Sequence, residues 1–305
     1  MIFKISRDIK FSNFYKRMNI FSLILIFLSV LFLFIKGLNF GVDFKGGTLI
    51  EARAEGAKNN IAEIRQSLLK MNLGDVNVKK FGKENDYLIK IEMTNKNDSN
   101  FIQSINQQLS SDLGTVVNFR RVENVGPKVS QELFNAGLLA ISLSLAAMLF
   151  YIWIRFEWQF SLGAIVALIH DVVITIGIFS FLSYEINLSI VAAVLTIVGY
   201  SMNDTVVIFD RIRENLRKYS KISISEISNT STHDTLSRTL ITSLTTLLAL
   251  LSIYIFGGQI LKGFSFAMIV GVIVGTYSSI FVATPVLNYT NVSQKTVSKD
   301  KSENN

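Results

Sequence analysis

Apolar residues fall along this chain in long runs separated by polar stretches, a distribution that suits lipid better than water as the surrounding solvent. An α-helix needs roughly 20 apolar residues to cross the hydrocarbon core of a bilayer. Six stretches meet that length: Met18 to Ile35, Phe134 to Ile154, Trp158 to Leu182, Leu188 to Phe209, Thr239 to Phe256 and Phe264 to Leu287. The first follows Lys4, Arg7, Lys10, Lys16 and Arg17, as a signal peptide would. It is too long for the apolar region of a leader, and Lys36-Gly37-Leu38-Asn39 offers no small-x-small cleavage site. An uncleaved anchor after an arm of residues 1–17 is the expectation.

Between the first two spans, residues 36–132 are polar and change period. Gly47 to Glu55 alternates after a double glycine and reads as a strand, whereas Ile61, Ile64, Leu68 and Leu69 recur at helical spacing. Val76 to Phe81 and Tyr87 to Met93 alternate around a turn containing Gly82, the pattern of a hairpin. Phe101, Ile102, Ile105 and Leu109 form a second amphipathic helix, with Asp98 and Ser99 as candidate caps. Thr115 to Val122 is the last strand before Gly126-Pro127. The order β-α-β-β-α-β predicts a ferredoxin-like α+β domain. The fold class expected is a polytopic α-helical membrane protein with six spans and that domain between the first and second. The segment carries no histidine and no nucleophile–base pair, so binding or movement is expected of it rather than chemistry.

Composition agrees with the pattern: half of the 305 residues are hydrophobic and only 17% are charged. The absence of cysteine excludes disulfides and thiolate metal sites. A net charge of +7 raises the question of nucleic acid, but the basic residues flank the apolar runs, which is the signature of membrane orientation. The N-terminal arm, the turn at Arg155, the segment 210–238 with Arg211, Arg213, Arg217, Lys218 and Lys221, and the tail 290–305 all fall on one side if six spans alternate. That side is expected to be the cytoplasm. The connections Ser183 to Asn187 and Gly257 to Gly263, together with domain 36–132, then lie outside.

Candidate chemistry sits within the spans. In the fourth, Gly199-Tyr200-Ser201-Met202-Asn203-Asp204 interrupts an apolar run that resumes from Thr205 to Phe209. Asp204 lies about 9 Å inside the border at Asp210, at 1.5 Å per residue. An aspartate at such a depth costs roughly 2.5–3.5 kcal/mol, so it should face the bundle interior and have a partner. Arg238, ahead of the hydroxyl-rich fifth span, is the best placed. Burial opposes the charged carboxylate and a nearby arginine favours it, a balance that would let Asp204 gain and lose a proton. A static salt bridge between two helices is the rival reading. His170-Asp171, near the centre of the third span, joins the same proton path or forms a packed, hydrogen-bonded pair. Asn203 and Thr205 flank the acid as further conduction candidates, Asn203 equally as interhelical glue. Gly163, Gly177, Gly199, Gly271 and Gly275 predict close helix packing, with Gly271 and Gly275 in a GxxxG pattern.

These residues together resemble the SecD/SecF family of bacterial protein-export membrane proteins, on its SecF side. The resemblance runs from about Asn19 to Leu287 and rests on Gly37 to Glu51 (GLNFGVDFKGGTLIE), Val125-Gly126-Pro127, Ala167 to Val172 (ALIHDV), Tyr200 to Asn215 (YSMNDTVVIFDRIREN) and Ser237 to Leu248 (SRTLITSLTTLL). The Asn-Asp-Thr form in the fourth span separates SecF from SecD, whose stretch reads Asp-Ala-Asn. The resemblance implies one six-span half of a resistance-nodulation-division arrangement, completed by a SecD-like subunit, in a bacterial inner membrane. It also implies work beside the SecYEG translocon and its accessory subunits on an unfolded preprotein, at the periplasmic side. The family's conducting aspartate and arginine map onto Asp204 and Arg238, with protons as the coupling ion and no other cofactor or metal.

Two rival functions remain from the residues alone. A small-molecule or lipid exporter of the same superfamily typically carries both halves on one chain, and this chain has one. A structural translocon subunit that conducts nothing is the other. An enzyme has the least support, because no P-loop, HExxH or GxSxG pattern occurs and Gly46-Gly47 is a turn, not a phosphate cradle.

Overall fold

The computed structural model describes residues 9–54, 61–74, 76–81, 85–92, 99–219 and 222–298. In chain order its main elements are α1 (Tyr15–Lys36), β1 (Gly47–Ala54), α2 (Ile61–Leu69), β2 (Val76–Lys80), β3 (Asp86–Ile91), α3 (Ser99–Leu113), β4 (Val117–Val125), α4 (Pro127–Arg155), α5 (Trp158–Leu182), α6 (Leu188–Lys218), α7 (Ile224–Phe256), α8 (Gly258–Ser278), a π-helical turn Ser279–Ala283 and α9 (Thr284–Tyr289). They divide into two compact units, residues 1–39, 140–184 and 189–305 in one and residues 40–139 and 185–188 in the other.

The α+β unit is a four-stranded antiparallel sheet in the order β2-β3-β1-β4. That order places β3 between β1 and β2, the split β-α-β arrangement of a ferredoxin-like sandwich. Ile50 on β1 stands opposite Ile89 on β3 and Val122 on β4. Alternation sends Ile50, Ala52 and Ala54, Val76 and Val78, and Tyr87, Ile89 and Ile91 into one core with Ile64 and Leu68 of α2 and Phe101, Ile105 and Leu109 of α3. The double glycine opens the sheet for a steric reason. Gly46 and Gly47 take φ of 76° and 119°, and a Cβ on Gly47 would meet the Ile91 carbonyl oxygen at 2.5 Å. The hairpin turn expected around Gly82 and the cap Asp98 lie outside the described residues.

Six helices are long and apolar enough to cross a membrane, over 11–36, 127–155, 158–182, 188–218, 224–256 and 260–289. Their outer faces carry exposed apolar side chains such as Phe27, Phe34, Leu143, Trp153, Leu244 and Ile255, the surface a lipid solvent requires. Within the helical unit α5 is central. α1 crosses it where Gly177 abuts Ser29, and the π-turn crosses it where Gly163 abuts the Ala283 carbonyl. α8 reaches α6 through Gly271 against Ile197 and Gly275 against Ser201, so the GxxxG pattern packs helices of one chain.

Several boundaries differ from those expected. Segment 210–238 is mostly helix: α6 continues to Lys218 and α7 begins at Ile224. A serine N-cap explains the early start, since the Ser223 hydroxyl accepts the Glu226 amide. Residues 127–132, expected in the domain, open α4 with Pro127 at its first position, where the missing N–H costs nothing. The connection expected at 257–263 shrinks to Gly257, because α8 starts at Gly258. A methyl added at Gly199 would have nothing within 4 Å, so this glycine makes no close packing contact among the described residues.

Candidate functional site

Asp204 sits on the face of α6 turned toward α7 and is 5% exposed. Side-chain contacts define the register of these two antiparallel helices. Asn215 donates to Ser231 (2.9 Å), Arg211 pairs with Asp234 (2.7 Å), and the Tyr200 hydroxyl donates to Thr246 (3.2 Å). In that register Asp204 falls opposite Thr239 and Ser243, which stand beside it, and the charge of Arg238 acts on it. The Thr239 hydroxyl is buried and faces the Asp204 carboxylate, and Ser243 Oγ, beside the same acid, shares a hydrogen bond of 2.8 Å with Thr276 Oγ1 of α8.

The expected candidates divide. Asp204 and Arg238 come to neighbouring helices, but no ion pair joins them among the described residues, and Arg238 is exposed on the outer side of α7. A static salt bridge is therefore not what holds α6 to α7. Asn203 is turned about 100° from Asp204 and stands exposed. Thr205 is fully buried, but its hydroxyl donates to the Ser201 carbonyl at 3.3 Å and is spent on its own helix.

His170 and Asp171 form a second cluster. His170 Nδ1 lies 2.8 Å from Asp171 Oδ1, and the other carboxylate oxygen accepts hydroxyl hydrogen bonds from Ser201 of α6 and from Ser278 of α8 at 2.7 Å. His170 stacks on Tyr277, whose hydroxyl reaches Ser22 and the Met18 carbonyl of α1 at 2.8 Å each. One aspartate thus ties three helices together, and its histidine leads to a fourth. Among the described residues no hydrogen bond links this cluster to Asp204. The π-turn begins one residue after Ser278, a distortion found frequently at functional sites. Ser201, Thr276, Tyr277 and Ser278 were not singled out from the sequence as members of a site; the only signal was hydroxyls recurring within apolar runs.

Basic residues near the ends of the helices are also paired. Arg155 meets Asp210 at 2.7 Å, Arg213 meets Glu157 at 3.0 Å, and Arg211 meets Glu214 as well as Asp234. Charge bias alone does not foretell such pairs.

Six apolar helices, an α+β domain following the first, and a buried acid set among hydroxyls between two helices define a polytopic membrane protein of the transport class. Residues 105–293 match the family described as protein export membrane protein SecD/SecF, C-terminal, and residues 31–58 match the SecD/SecF GG motif. The chain belongs to the SecD/SecF family of protein export membrane proteins. It is 45% identical over 281 residues to the protein translocase subunit SecF of Rickettsia rickettsii (strain Sheila Smith), covering 92% of this chain and 91% of that one. The SecF of Rickettsia bellii (strain OSU 85-389) is 44% identical over the same length, with 92% of each chain covered. Among solved structures, SecDF of Thermus thermophilus, a translocon-associated membrane protein, matches with a TM-score of 0.84 and 33% identity over 94% of this chain. SecDF in its super-membrane-facing form matches with a TM-score of 0.71 and 31% identity over 99% of this chain. The chain spans about two fifths of the length of those SecDF chains, 40% and 41%. Family membership removes the small-molecule exporter from consideration, and the relatives are named as a transport component.

Proposed function

We propose that this chain is the SecF part of a proton-driven protein-export unit, in which Asp204 takes up and releases the coupling proton. The observation that carries this reading is the setting of Asp204: 5% exposed, beside Thr239 and Ser243, within reach of the Arg238 charge yet with no ion pair among the described residues. A carboxylate locked to a guanidinium would hold its charge permanently, whereas one bordered by hydroxyls can change state. Moving one proton charge through the membrane potential supplies about 2.3 kcal/mol per 100 mV, enough to bias a two-state motion.

A SecD-like subunit supplies the second half. Asn203 and Arg238 are exposed on this single chain at the depth of the spans, where contact with lipid is costly, so a protein surface is the better cover. The excess of basic residues around 210–221 and in both terminal segments favours a cytoplasmic place for them. Domain 36–132 then lies in the periplasm, where it would engage an unfolded preprotein leaving the Sec translocon. Protons are the coupling ion, and no organic cofactor or metal enters the reading.

The test is proton flux in liposomes holding this chain with its SecD-like partner, wild type against Asp204→Asn, alongside gradient-dependent secretion in cells. The variant should insert and assemble but lose both activities. Equal flux from the two proteins would leave a structural translocon subunit in place of a motor.

A further inference from the structure

Where α6 ends and α7 begins, the helical unit opens a cavity of about 450 Å³ that the role of Asp204 does not use. Three segments wall it: the arm ahead of α1 with Lys10, the last turns of α6 with Lys218, and the first turns of α7 with Glu226. The apolar spans run over 11–36, 188–218 and 224–256, so each of these charges stands at the border of a span. Ile9 and Tyr219 share the lining and are 42% and 39% exposed. Exposed apolar and tyrosine side chains beside lysines suit the headgroup layer of a bilayer, where one end of a side chain is in oil and the other in water.

The arm is strapped to α7. Asn229 accepts the Ser12 backbone N–H and donates to the Ser12 hydroxyl, both at 2.9 Å, and His233 Nε2 donates to the Ile9 carbonyl at 2.6 Å. Phe11 packs against the His233 ring with centroids 4.9 Å apart. Lys10 is thereby held at the cavity. The charges in the lining then divide by partner. Arg211 is taken by Asp234 at 2.7 Å and by Glu214 outside the cavity. Among the described residues Lys10 and Lys218 have no carboxylate partner, and Glu226 has no cationic one. Two ammoniums and one carboxylate without counter-charges, around one concavity, complement a ligand that carries both a phosphate and an ammonium. The volume falls in the range of small-molecule sites, about 300–1,000 Å³. Basic pockets between spanning helices are places where phosphorylated lipid head groups bind.

We infer that this cavity binds the phosphoethanolamine headgroup of a membrane phospholipid, with Lys10 and Lys218 on the phosphate and Glu226 on the ammonium. A lysine ammonium meets phosphate as a compact point charge with three donors. A phosphatidylglycerol headgroup brings the same phosphate but leaves Glu226 facing an anion. A phosphatidylcholine headgroup carries a quaternary ammonium, which has no N–H to donate to the carboxylate. The bound lipid bridges the arm to the ends of α6 and α7. None of this depends on the proton role of Asp204.

The test is native mass spectrometry of the chain assembled with its SecD-like partner. The complex is titrated in micelles with phosphatidylethanolamine, phosphatidylglycerol, phosphatidylcholine or inorganic phosphate. Wild type should retain one phosphatidylethanolamine at least about tenfold more tightly than the other two lipids, a difference of about 1.4 kcal/mol. Lys10→Gln combined with Lys218→Gln should lower that affinity by at least about tenfold. Lys16→Gln combined with Arg17→Gln removes the same charge from exposed positions outside the cavity and should leave it unchanged. Glu226→Gln should abolish the preference for ethanolamine over glycerol. Equal retention of phosphatidylethanolamine by the Lys10 and Lys218 double variant overturns the site. Phosphatidylglycerol held by wild type as tightly as phosphatidylethanolamine overturns the part given to Glu226. Displacement of the lipid by an equal concentration of inorganic phosphate assigns the cavity to the free ion and overturns the lipid. Binding to the chain alone that vanishes in the assembled complex gives the cavity to the partner and overturns it as well.

Discussion

Ser278 donates a 2.7 Å hydrogen bond to the carboxylate of Asp171, 107 positions earlier in the chain, and Ser201 donates to the same oxygen. The acid therefore fastens α5, α6 and α8 at one level of the bundle. With His170 on its other oxygen it has three donors, which is how a buried carboxylate is made tolerable.

Asp171→Ala should destabilise the helical unit by roughly 3 kcal/mol, since it strands the buried Ser201 hydroxyl and His170 and leaves Ser278 only the Gly275 carbonyl of its own helix. Asp171→Asn keeps the shape and one acceptor oxygen, and should cost less. Thermal unfolding of the purified chain in detergent ranks the two. Equal stability of wild type and the alanine variant would show that the cluster holds nothing.

Glycines in the spans are predicted to differ sharply. A side chain at Gly177 would occupy the position of Ser29, so Gly177→Val should wedge α1 from α5 at a cost of about 1–3 kcal/mol. Gly199 faces open space, and Gly199→Ala should be neutral or stabilising by up to about 1 kcal/mol, by relieving backbone entropy in α6. Denaturation midpoints of the pair decide; a partner subunit seated on Gly199 would reverse the second result only in the assembled complex.

In the α+β unit, Arg53 grips Asp86 with two hydrogen bonds of 2.6 and 2.9 Å at side-chain exposures of 22% and 11%. Asp86→Ala should cost about 3 kcal/mol, because it removes the carboxylate that the half-buried guanidinium grips with two hydrogen bonds. Arg53→Lys should cost part of that, since an ammonium cannot reproduce the fork. Urea unfolding followed at the domain's tyrosine, Tyr87, provides the readout, and a loss below about 0.5 kcal/mol for Asp86→Ala would place the pair with ordinary surface ion pairs.

Asp112, at the end of α3, is held by the Lys70 ammonium at 2.9 Å, and that hydrogen bond, together with weaker contributions from Gln108 and Ser67, lowers its carboxyl to about 2. A folded value below the unfolded one means the pair supports the fold above the ordinary carboxylate range. That support fades as the pH falls from about 4 toward 2. Lys70→Met should bring the Asp112 titration back up toward the ordinary range, as read by carboxyl carbon NMR shifts. An unchanged titration would assign the depression to other neighbours.

The limits of sequence reading fall on particular residues. Spacing put Asp204 inside the fourth span and Arg238 near it, and both statements hold in the structure. Spacing also treated Asn203 and Thr205 as companions of the acid, yet one faces outward and the other bonds to its own helix. A 100° step per residue separates neighbours around a helix, but which direction is inward depends on where other helices pack. The ends of α6 and α7 were missed for a related reason: charged residues 210–218 form helix readily once ion pairs such as Arg211–Asp234 and Arg213–Glu157 hold them.

By itself the order of residues determined the number of spans, the β-α-β-β-α-β succession and the presence of a costly acid in the fourth span. Each of these depends on run length or period, and so on the free energy of short segments in water or lipid. Only the tertiary structure decided that Asp171 meets Ser278, that Gly177 meets Ser29, and that Thr239 and Ser243 stand beside Asp204. Those contacts join positions dozens to hundreds of residues apart, where packing geometry chooses the partner and no local pattern records the choice.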